Sequence, residues 1–566
     1  LGALVLVALD ALAGLVLPLL TRDGVDRGVL AHAPAMVALV SAAALAVALA
    51  NLFVVRAHVL LTARTGERLL YTLRLKTFAQ LQRLGLDYYE RELSGRILTR
   101  LTTDPDVIAL FLQDGLAATV VSLLTLAGIL AALLAINAEL GLVALAALPV
   151  AVVATLVFRS VSARAYADAR EKVGTVNADL RENVAGLRVT QAYRREAHNR
   201  GRFGQRSDAY RASRVRAQRA AALYFPFIEL LSTLVAAGVL LLGAHLVGTG
   251  ALSAGALIAY LIYVELFFAP VQQLSQVFDG YQQAAVGRRR VWELLATPAS
   301  TPVRADPVPV PGRLRGEVVL DTVDFRYAPG APPALSGVSL RVAPGETLAL
   351  VGETGAGKST VVKLVCRWYD VTGGAIRVDG VDLRDLDLAG YRRRLALVPQ
   401  EPYLFPGTVR DAIAYGRPDA SRAEVEAAAR AAGAHEMVRR LAGGYLHPVA
   451  ERGRNLSAGQ RQLLALARAE LVQPDILLLD EPTAALDLAT EAAVVRAASG
   501  AGRTRTTLVI AHRLATAARA DRIAVLHHGR LVELGTHAEL LAAGGRYARM
   551  WYLLAGSVAV ATGEGR

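Results

Sequence analysis

Six separate stretches of about 20 mostly apolar residues, the length that crosses a hydrocarbon core of about 30 Å, constrain this chain more than any other feature. They are Leu1–Leu20, Ala33–Val55, Gly115–Ile136, Glu139–Phe158, Leu223–Val247 and Leu252–Leu274. An overall hydrophobic fraction of 54% is also high for a soluble protein. We therefore expect six transmembrane helices in the first half of the chain, surrounded by a lipid bilayer.

The first apolar stretch begins at Leu1 and has no basic segment before it. A secretory signal peptide has a basic start and a shorter apolar region, so this stretch is typical of a transmembrane helix. We expect the natural N-terminus to lie upstream of Leu1.

The loops between the apolar stretches differ in length and in charge. The short ones contain two arginines, Arg22 and Arg27, whereas the two long ones, Arg56–Asp114 and Arg159–Ala222, are rich in arginine. Because basic loops remain in the cytoplasm, we predict that both long loops and both chain ends are cytoplasmic. The net charge of +13 has the same explanation. No aromatic-rich basic patch accompanies it, so we expect no nucleic-acid partner.

The long loops have helical character. Apolar residues recur at helical spacing over Arg64–Leu86 and Ala163–Gln191. The membrane helices should therefore continue well into the cytoplasm, with Gly95 and Gly186 as candidate breaks.

The second half of the chain has a different pattern of apolar residues. Short apolar segments predict strands at Val318–Phe325, Leu335–Val342, Thr347–Val351, Ala375–Val378 and Ile476–Leu479. Helical stretches separate several of them, which predicts a mixed sheet flanked by helices. The chain is thus expected to be multidomain: an all-α six-helix transmembrane domain with long cytoplasmic extensions (1–296), a proline-containing linker (297–312) and an α/β domain (313–566).

A phosphate-binding loop follows the third predicted strand. The segment Gly352–Ser359 fits G-x-x-x-x-G-K-[ST] between a strand ending at Val351 and a helix beginning near Lys358, which is the context that this motif requires. Backbone N–H groups would face phosphate oxygens, Lys358 would bridge the β- and γ-phosphates, and Ser359 would bind Mg²⁺. The predicted ATP-binding residues of this loop are Gly352, Glu353, Thr354, Gly355, Ala356, Gly357, Lys358, Ser359 and Thr360.

Two acidic residues, Asp480 and Glu481, directly follow the apolar run Ile476–Leu479. Such runs are common, but in the same domain as a phosphate loop this one completes a hydrolytic site. Asp480 would enter the Mg²⁺ shell, and Glu481 would polarise the attacking water. The sequence therefore predicts ATP hydrolysis with ATP and Mg²⁺ as the bound species.

Just before these acids, the segment Leu456–Gln460 reads LSAGQ and opens a predicted helix. It resembles LSGGQ, the signature of the ATP-binding cassette (ABC) family, and departs from it at Ala458. The resemblance implies that Ser457, Gly459 and Gln460 face the phosphate loop of a second protomer, so that each nucleotide is bound between two chains. Ser457 at a helix N-terminus would stabilise the γ-phosphate from the partner's side.

The resemblance extends over nearly the whole chain, because other family elements follow in order. It implies adenine stacking on Tyr327, contact of Gln400 with Mg²⁺ and water, an exporter-specific loop at Val449–Gly453, a D-loop at Ala484–Asp487, and contact of His512 with the γ-phosphate. It also implies two coupling segments that rest on the ATPase domain, at Thr102–Ile108 and Asn183–Gln191.

These features together resemble an ABC exporter half-transporter in the cytoplasmic membrane of a bacterium. The implied function is ATP-driven translocation of a hydrophobic or amphipathic drug, lipid or peptide by a homodimer. A heterodimer with a different half-transporter, a membrane-anchored ATP-dependent regulator or channel, and uptake through the same fold are alternatives. Three acidic residues in the apolar stretches, Asp10, Glu229 and Glu265, either face a cargo cavity or bond between helices.

Overall fold

The structure, a computed structural model, describes residues 2–480, 505–511 and 513–561, apart from the side chains of residues 144, 275 and 554–561. The chain forms two compact units. The first comprises Leu1–Gln82 and Ser94–Thr297, and the second comprises Arg83–Leu93 and Pro298–Arg566. The boundaries at 296 and 312 drawn from the sequence stay a prediction.

Helices dominate the first half of the chain. They are α1 (Gly2–Asp23), α2 (Pro34–Arg83), α3 (Leu86–Arg91), α4 (Ser94–Leu101), α5 (Thr103–Leu110), α6 (Leu116–Ile136), α7 (Ala138–Ala185), α8 (Leu187–Ala192), α9 (Glu196–Gly248) and α10 (Ala254–Ala296). Short π-helical segments, Gly24–Val29 and Phe111–Gly115, follow α1 and precede α6.

Six helical segments in the described part of the chain are long and apolar enough to cross a membrane, and each corresponds to one predicted stretch. They are Gly2–Val29, Pro34–Arg83, Ser94–Ile136, Ala138–Ala185, Glu196–Gly248 and Ala254–Ala296. The four helices α2, α7, α9 and α10 contain 43 to 53 residues. Since a helix rises 1.5 Å per residue, each is about 65–80 Å long, more than twice the hydrocarbon core. The predicted continuation of the apolar helices into the long loops is therefore confirmed.

Of the two predicted helix breaks, one is confirmed and the other is wrong. Gly186 caps the C-terminus of α7. Gly95, however, lies inside α4, and the chain breaks instead at Gly85 and at Glu92–Leu93. Gly85 has an extended backbone, and a Cβ there would lie 2.1 Å from Ser300 Oγ. Close packing, which the local sequence does not reveal, thus decides which glycine ends the helix.

Polar side chains connect helices of the first unit. Asn51 Nδ2 of α2 donates to Asp10 Oδ1 of α1 at 3.1 Å, and the Tyr263 hydroxyl of α10 donates to the Leu15 carbonyl of α1 at 2.5 Å. Such bonds stabilise helix pairs in lipid, where apolar burial supplies little driving force. For Asp10, the structure therefore shows the interhelical hydrogen bond that was one of its two interpretations.

The second unit is an α/β structure. Its strands are β1 (Val318–Phe325), β2 (Leu335–Val342), β3 (Thr347–Val351), β4 (Gly373–Val378), β5 (Val381–Asp382), β6 (Leu395–Val398), β7 (Gly407–Thr408), β8 (Pro448–Val449), β9 (Ile476–Asp480), β10 (Thr506–Ile510), β11 (Arg522–His527) and β12 (Arg530–Gly535). All five predicted strands are present, and the fourth begins two residues early, at Gly373. The expected α/β class is confirmed.

The helices of this unit flank two larger sheets. They are α11 (Lys358–Val365), α12 (Leu388–Arg393), α13 (Val409–Ala414), α14 (Arg422–Ala431), α15 (His435–Arg439), α16 (Ala458–Val472), α17 (Leu514–Ala517), α18 (His537–Ala542) and α19 (Arg546–Ala561). One sheet has the order β2-β1-β4-β5 and is antiparallel. The other has the order β12-β11-β3-β10-β9-β6 and is parallel except for β12.

The segment Arg83–Leu93 belongs to a different compact unit from the helices that precede and follow it in sequence. The structure groups it with the second unit, while Thr102–Ile108 and Asn183–Gln191 are grouped with the first. Tyr88 of α3 is buried, and Leu86 packs against the core of the second unit. Arg83–Leu93 is thus the segment from the first half of the chain that belongs to the second unit, and the coupling roles of Thr102–Ile108 and Asn183–Gln191 stay predictions.

Candidate nucleotide-binding site

The phosphate loop lies between β3 and α11, as the sequence predicts. Two of its glycines are required by the backbone. Gly352 has φ +152°, and a Cβ there would lie 2.2 Å from the Leu526 carbonyl oxygen. Gly357 has φ +101°, and a Cβ there would lie 2.8 Å from the Ala334 carbonyl oxygen. The loop is therefore wrapped so closely by neighbouring backbone that any side chain at these positions would displace it.

Lys358 begins α11 and is only 5% exposed. Its ammonium group donates to the carbonyl oxygens of Gly352 at 2.7 Å and Glu353 at 2.9 Å. A buried cation needs such partners to remain charged. Ser359, next in the helix, is exposed. The positive end of α11 and two polar side chains thus lie together at the loop, which is an arrangement that binds phosphate.

Tyr327 lies beside the start of α11. Its hydroxyl is 3.0 Å from Thr360 Oγ1, and its ring packs edge to face on Phe325 at 4.9 Å and on Tyr369 at 5.3 Å. The residue remains 40% exposed. The structure therefore fixes the ring at the edge of the phosphate loop and leaves part of it accessible for stacking.

Strand register brings Asp480 to the same edge of the sheet as the phosphate loop. Ile510 of β10 pairs with Leu350 of β3 on one side and with Asp480 of β9 on the other. Because these strands are parallel and neighbouring strands lie about 4.8 Å apart, Asp480 is about 10 Å from the end of β3. Gln400 follows β6, whose Val398 pairs with Leu479, and is exposed at this edge as well.

Two predicted catalytic residues, Glu481 and His512, lie outside the described residues, as does the D-loop at Ala484–Asp487. Their roles stay predictions from the sequence motifs.

The signature segment begins α16, as predicted. Ser457 Oγ accepts from the Gln460 backbone N–H at 3.2 Å, and Gln460 Oε1 accepts from the Ser457 backbone N–H at 2.8 Å. This reciprocal pair is a capping box, which satisfies two N–H groups at the helix start. Ser457 is exposed, and Gly459 lies in the first helical turn.

The signature and the phosphate loop belong to different cores of the unit. Helix α16 packs with α13 and α14 in one cluster, which contains Leu464 and Leu466, whereas Ala356 and Val361 lie in another. Within one chain the structure therefore places the phosphate loop, Asp480 and Gln400 at one edge of the parallel sheet, with Tyr327 beside α11. Helix α16 packs on the opposite face of that sheet from α11, because Leu477 and Leu479 belong to its cluster and Leu478 to the other.

Sequence reasoning missed two neighbours of Tyr327, namely Lys363 and Tyr369. The Lys363 ammonium lies 5.1 Å from the centroid of the Tyr327 ring. A signal was present, because only four lysines occur in a chain with 62 basic residues, and two of the four lie on α11.

Comparisons with known proteins agree with this architecture. Residues 1–271 match the family model of the ABC transporter transmembrane region, and residues 335–484 match the ABC transporter model. A multidrug efflux ATP-binding/permease protein of Mycobacterium bovis (strain BCG / Pasteur 1173P2) is 51% identical over 97% of this chain and 46% of the relative. The chain therefore spans about half the length of that relative.

Two further matches each cover most of this chain and most of the matched protein. An ATP-dependent lipid A-core flippase of Chromobacterium violaceum is 37% identical over 86% of this chain and 82% of the flippase. The solved structure of a bacterial Atm1-family ABC exporter with ATP bound superimposes with a TM-score of 0.83 at 30% identity, covering 98% of this chain and 97% of the exporter. This chain is a multi-pass membrane protein that belongs to the ABC transporter family, with a transmembrane region and an ABC ATPase domain in one polypeptide.

Proposed function

We propose that this chain is one half of an ATP-driven exporter, which hydrolyses ATP to move a hydrophobic or amphipathic compound across the cytoplasmic membrane. The observation that carries the proposal is the closely wrapped phosphate loop with its buried Lys358, in a chain that also has six potential membrane spans. The names of the relatives, multidrug efflux protein and lipid A-core flippase, support a drug or lipid as cargo.

In this proposal ATP binds along the sheet edge. Adenine stacks on the exposed part of Tyr327, and the phosphates contact the backbone of Gly352–Thr360 and the ammonium of Lys358. The Ser359 hydroxyl, the Gln400 amide and the Asp480 carboxylate are hard oxygen donors, the type of ligand that Mg²⁺ prefers. Bound Mg²⁺ would neutralise charge on the phosphates.

Hydrolysis requires a residue that activates water and a contact to the γ-phosphate. We assign these roles to Glu481 and His512 from their sequence motifs alone. The third element, the signature of a second protomer, would supply Ser457, Gly459 and Gln460 across the nucleotide. Exposure of Ser457, at the start of a helix that packs in a different core cluster from the phosphate loop, supports contact from a partner.

The partner is a second copy of this chain or a different half-transporter. Membership of the ABC transporter family, with one transmembrane region and one ATPase domain in this chain, supports cooperation with a second half. The arginine-rich long loops support a cytoplasmic position for the ATPase domain and the chain ends.

The test is Mg-ATPase activity of the purified chain in lipid nanodiscs beside its Glu481→Gln variant. Activity that is lost in the variant would support a hydrolysing homodimer. A folded sample that binds ATP but does not hydrolyse it would instead support the heterodimer.

The same preparation distinguishes an exporter from an ATP-dependent regulator or channel. Uphill, ATP-dependent movement of a lipid-like or drug-like probe supports the exporter, whereas purely downhill flux supports a channel. Lys358→Ala should abolish both hydrolysis and transport. Wild-type rates in that variant would contradict the site assignment.

A further inference from the structure

The Glu90 carboxylate on α3 contacts two residues that lie beside Tyr327, Lys363 and Tyr369. Glu90 Oε1 is 2.8 Å from the Lys363 ammonium, and Glu90 Oε2 accepts a hydrogen bond from the Tyr369 hydroxyl at 2.6 Å. Both oxygens of the carboxylate are thus engaged by residues that follow the phosphate loop. All three residues belong to the second compact unit.

Lys363 and Tyr369 both contact the proposed adenine-stacking ring. The Lys363 ammonium lies 5.1 Å from the Tyr327 ring centroid and 5.9 Å from that of Tyr369, distances at which a cation is attracted to an aromatic ring. The rings of Tyr327 and Tyr369 pack edge to face at 5.3 Å. Tyr327 in turn contacts Thr360 on α11. Contacts therefore run continuously from Glu90 to the phosphate loop.

Both members of the Glu90–Lys363 pair are charged at neutral pH. Partial burial disfavours the carboxylate, but hydrogen bonds from Lys363 and Tyr369 outweigh it and hold the pKa of Glu90 below its usual value. Burial also disfavours the ammonium, yet the hydrogen bond to Glu90 and the nearby Tyr327 raise the pKa of Lys363. The contact is thus an ion pair rather than a neutral hydrogen bond.

The segment that carries Glu90 has other anchors that do not involve the aromatic rings. Leu86 packs against the core of the unit, and Asp87 accepts a hydrogen bond from the Ser300 hydroxyl at 2.5 Å. Attachment of α3 therefore does not depend on the ion pair alone. This leaves Glu90 available for a role in orienting its partners.

We propose that Glu90 is a positioning residue for nucleotide binding, which holds Lys363 and Tyr369 so that the ring of Tyr327 keeps its stacking orientation. The inference rests on the proposed function, since it takes Tyr327 as the adenine-stacking residue. Its consequence is regulatory. The segment Arg83–Leu93 is covalently continuous with α2 and α4, so ATP affinity would depend on how this segment is placed.

The test compares Glu90→Gln and Lys363→Met, which remove one charge each from opposite sides of the pair, in the full chain in lipid nanodiscs. Each should raise the KM for ATP about two- to fivefold, the range for a partly exposed ion pair, with little change in kcat. Glu317→Gln is the matched control. It breaks the similarly short Arg341 ion pair, 2.7 Å long, away from the aromatic rings, and should leave the KM unchanged.

A double-mutant cycle separates positioning from simple stabilisation. If Glu90 acts through Tyr327, Glu90→Gln should not raise the KM further in a Tyr327→Ala background. An unchanged KM in both single variants would overturn the inference, and so would a full additional increase in the Tyr327→Ala background.

Lys358→Ala serves as the reference for the proposed function. If Lys358→Ala abolishes ATP binding while Glu90→Gln and Lys363→Met do not change the KM, only the positioning role fails. If Lys358→Ala binds ATP as tightly as the wild type, the nucleotide site itself is misassigned, and the positioning role falls with it.

Discussion

Replacement of Tyr327 gives a quantitative test of the nucleotide site. The residue is 40% exposed, while its ring packs edge to face with Phe325 and Tyr369. Stacking of a base on an aromatic ring contributes about 1–3 kcal/mol. Tyr327→Ala should therefore weaken ATP binding by about 5- to 150-fold, since each 1.4 kcal/mol is about a factor of ten.

The conservative variant Tyr327→Phe separates the ring from the hydroxyl. It keeps the stacking surface and loses the hydroxyl, which lies 3.0 Å from Thr360 Oγ1 and also bonds to Lys363. A single neutral hydrogen bond contributes about 0.5–1.5 kcal/mol. This bond does not involve the base, so the loss of ATP affinity should be clearly smaller than in Tyr327→Ala.

The assay is isothermal titration of ATP into the purified chain in nanodiscs, in a Glu481→Gln background that is expected to prevent hydrolysis. Tyr415→Ala is the control, because it removes an exposed tyrosine of the same unit that stacks on Phe405 instead. Wild-type affinity in Tyr327→Ala, or equal losses in the Ala and Phe variants, would refute the stacking role.

Three further predictions follow from local geometry. Gly352→Ala should abolish ATP binding in a nucleotide titration, because its Cβ would lie 2.2 Å from the Leu526 carbonyl oxygen. Gly312→Ala, whose Cβ would lie in open space, should bind ATP normally. Ser457→Ala should destabilise the first turn of α16 by about 1 kcal/mol and speed its amide exchange, and Ser457→Asn should not. Hydrogen bonds from the Thr408 side chain and backbone lower the pKa of Asp411. The stabilisation by Asp411 is present above its unfolded-state pKa and is lost as pH falls through its folded-state pKa. Asp411→Asn should therefore destabilise α13 at pH 7 and have no effect at strongly acidic pH. Amide exchange of α13 measures both.

The sequence predicted the membrane helices, the strands around the phosphate loop and the start of α16, because each depends on local pattern. A run of about 20 apolar residues has few alternatives to a membrane span. The capping residues Ser457 and Gln460 likewise satisfy the first turn of their own helix. Such features need no knowledge of distant contacts.

Features that depend on distant contacts were missed. The break at Gly85 rather than Gly95 lies where the backbone packs closely on Ser300, more than 200 positions along the chain. The assignment of Arg83–Leu93 to the second unit likewise depends on Leu86 packing against a core made by later residues. No periodicity near these residues distinguishes them from the helices on either side.

The two lysines of α11 explain how one short helix can serve both the phosphate loop and Arg83–Leu93. Lys358 fits its buried position because a compact ammonium can reach the carbonyl oxygens of Gly352 and Glu353, and Lys363 places the same compact charge between two rings and the Glu90 carboxylate. The planar arginine side chain that dominates elsewhere in the chain has a different donor geometry. The two lysines lie five residues apart, about 7.5 Å along the axis. The residue proposed to bind phosphate and the residue that contacts the proposed adenine-stacking ring therefore lie on one short helix.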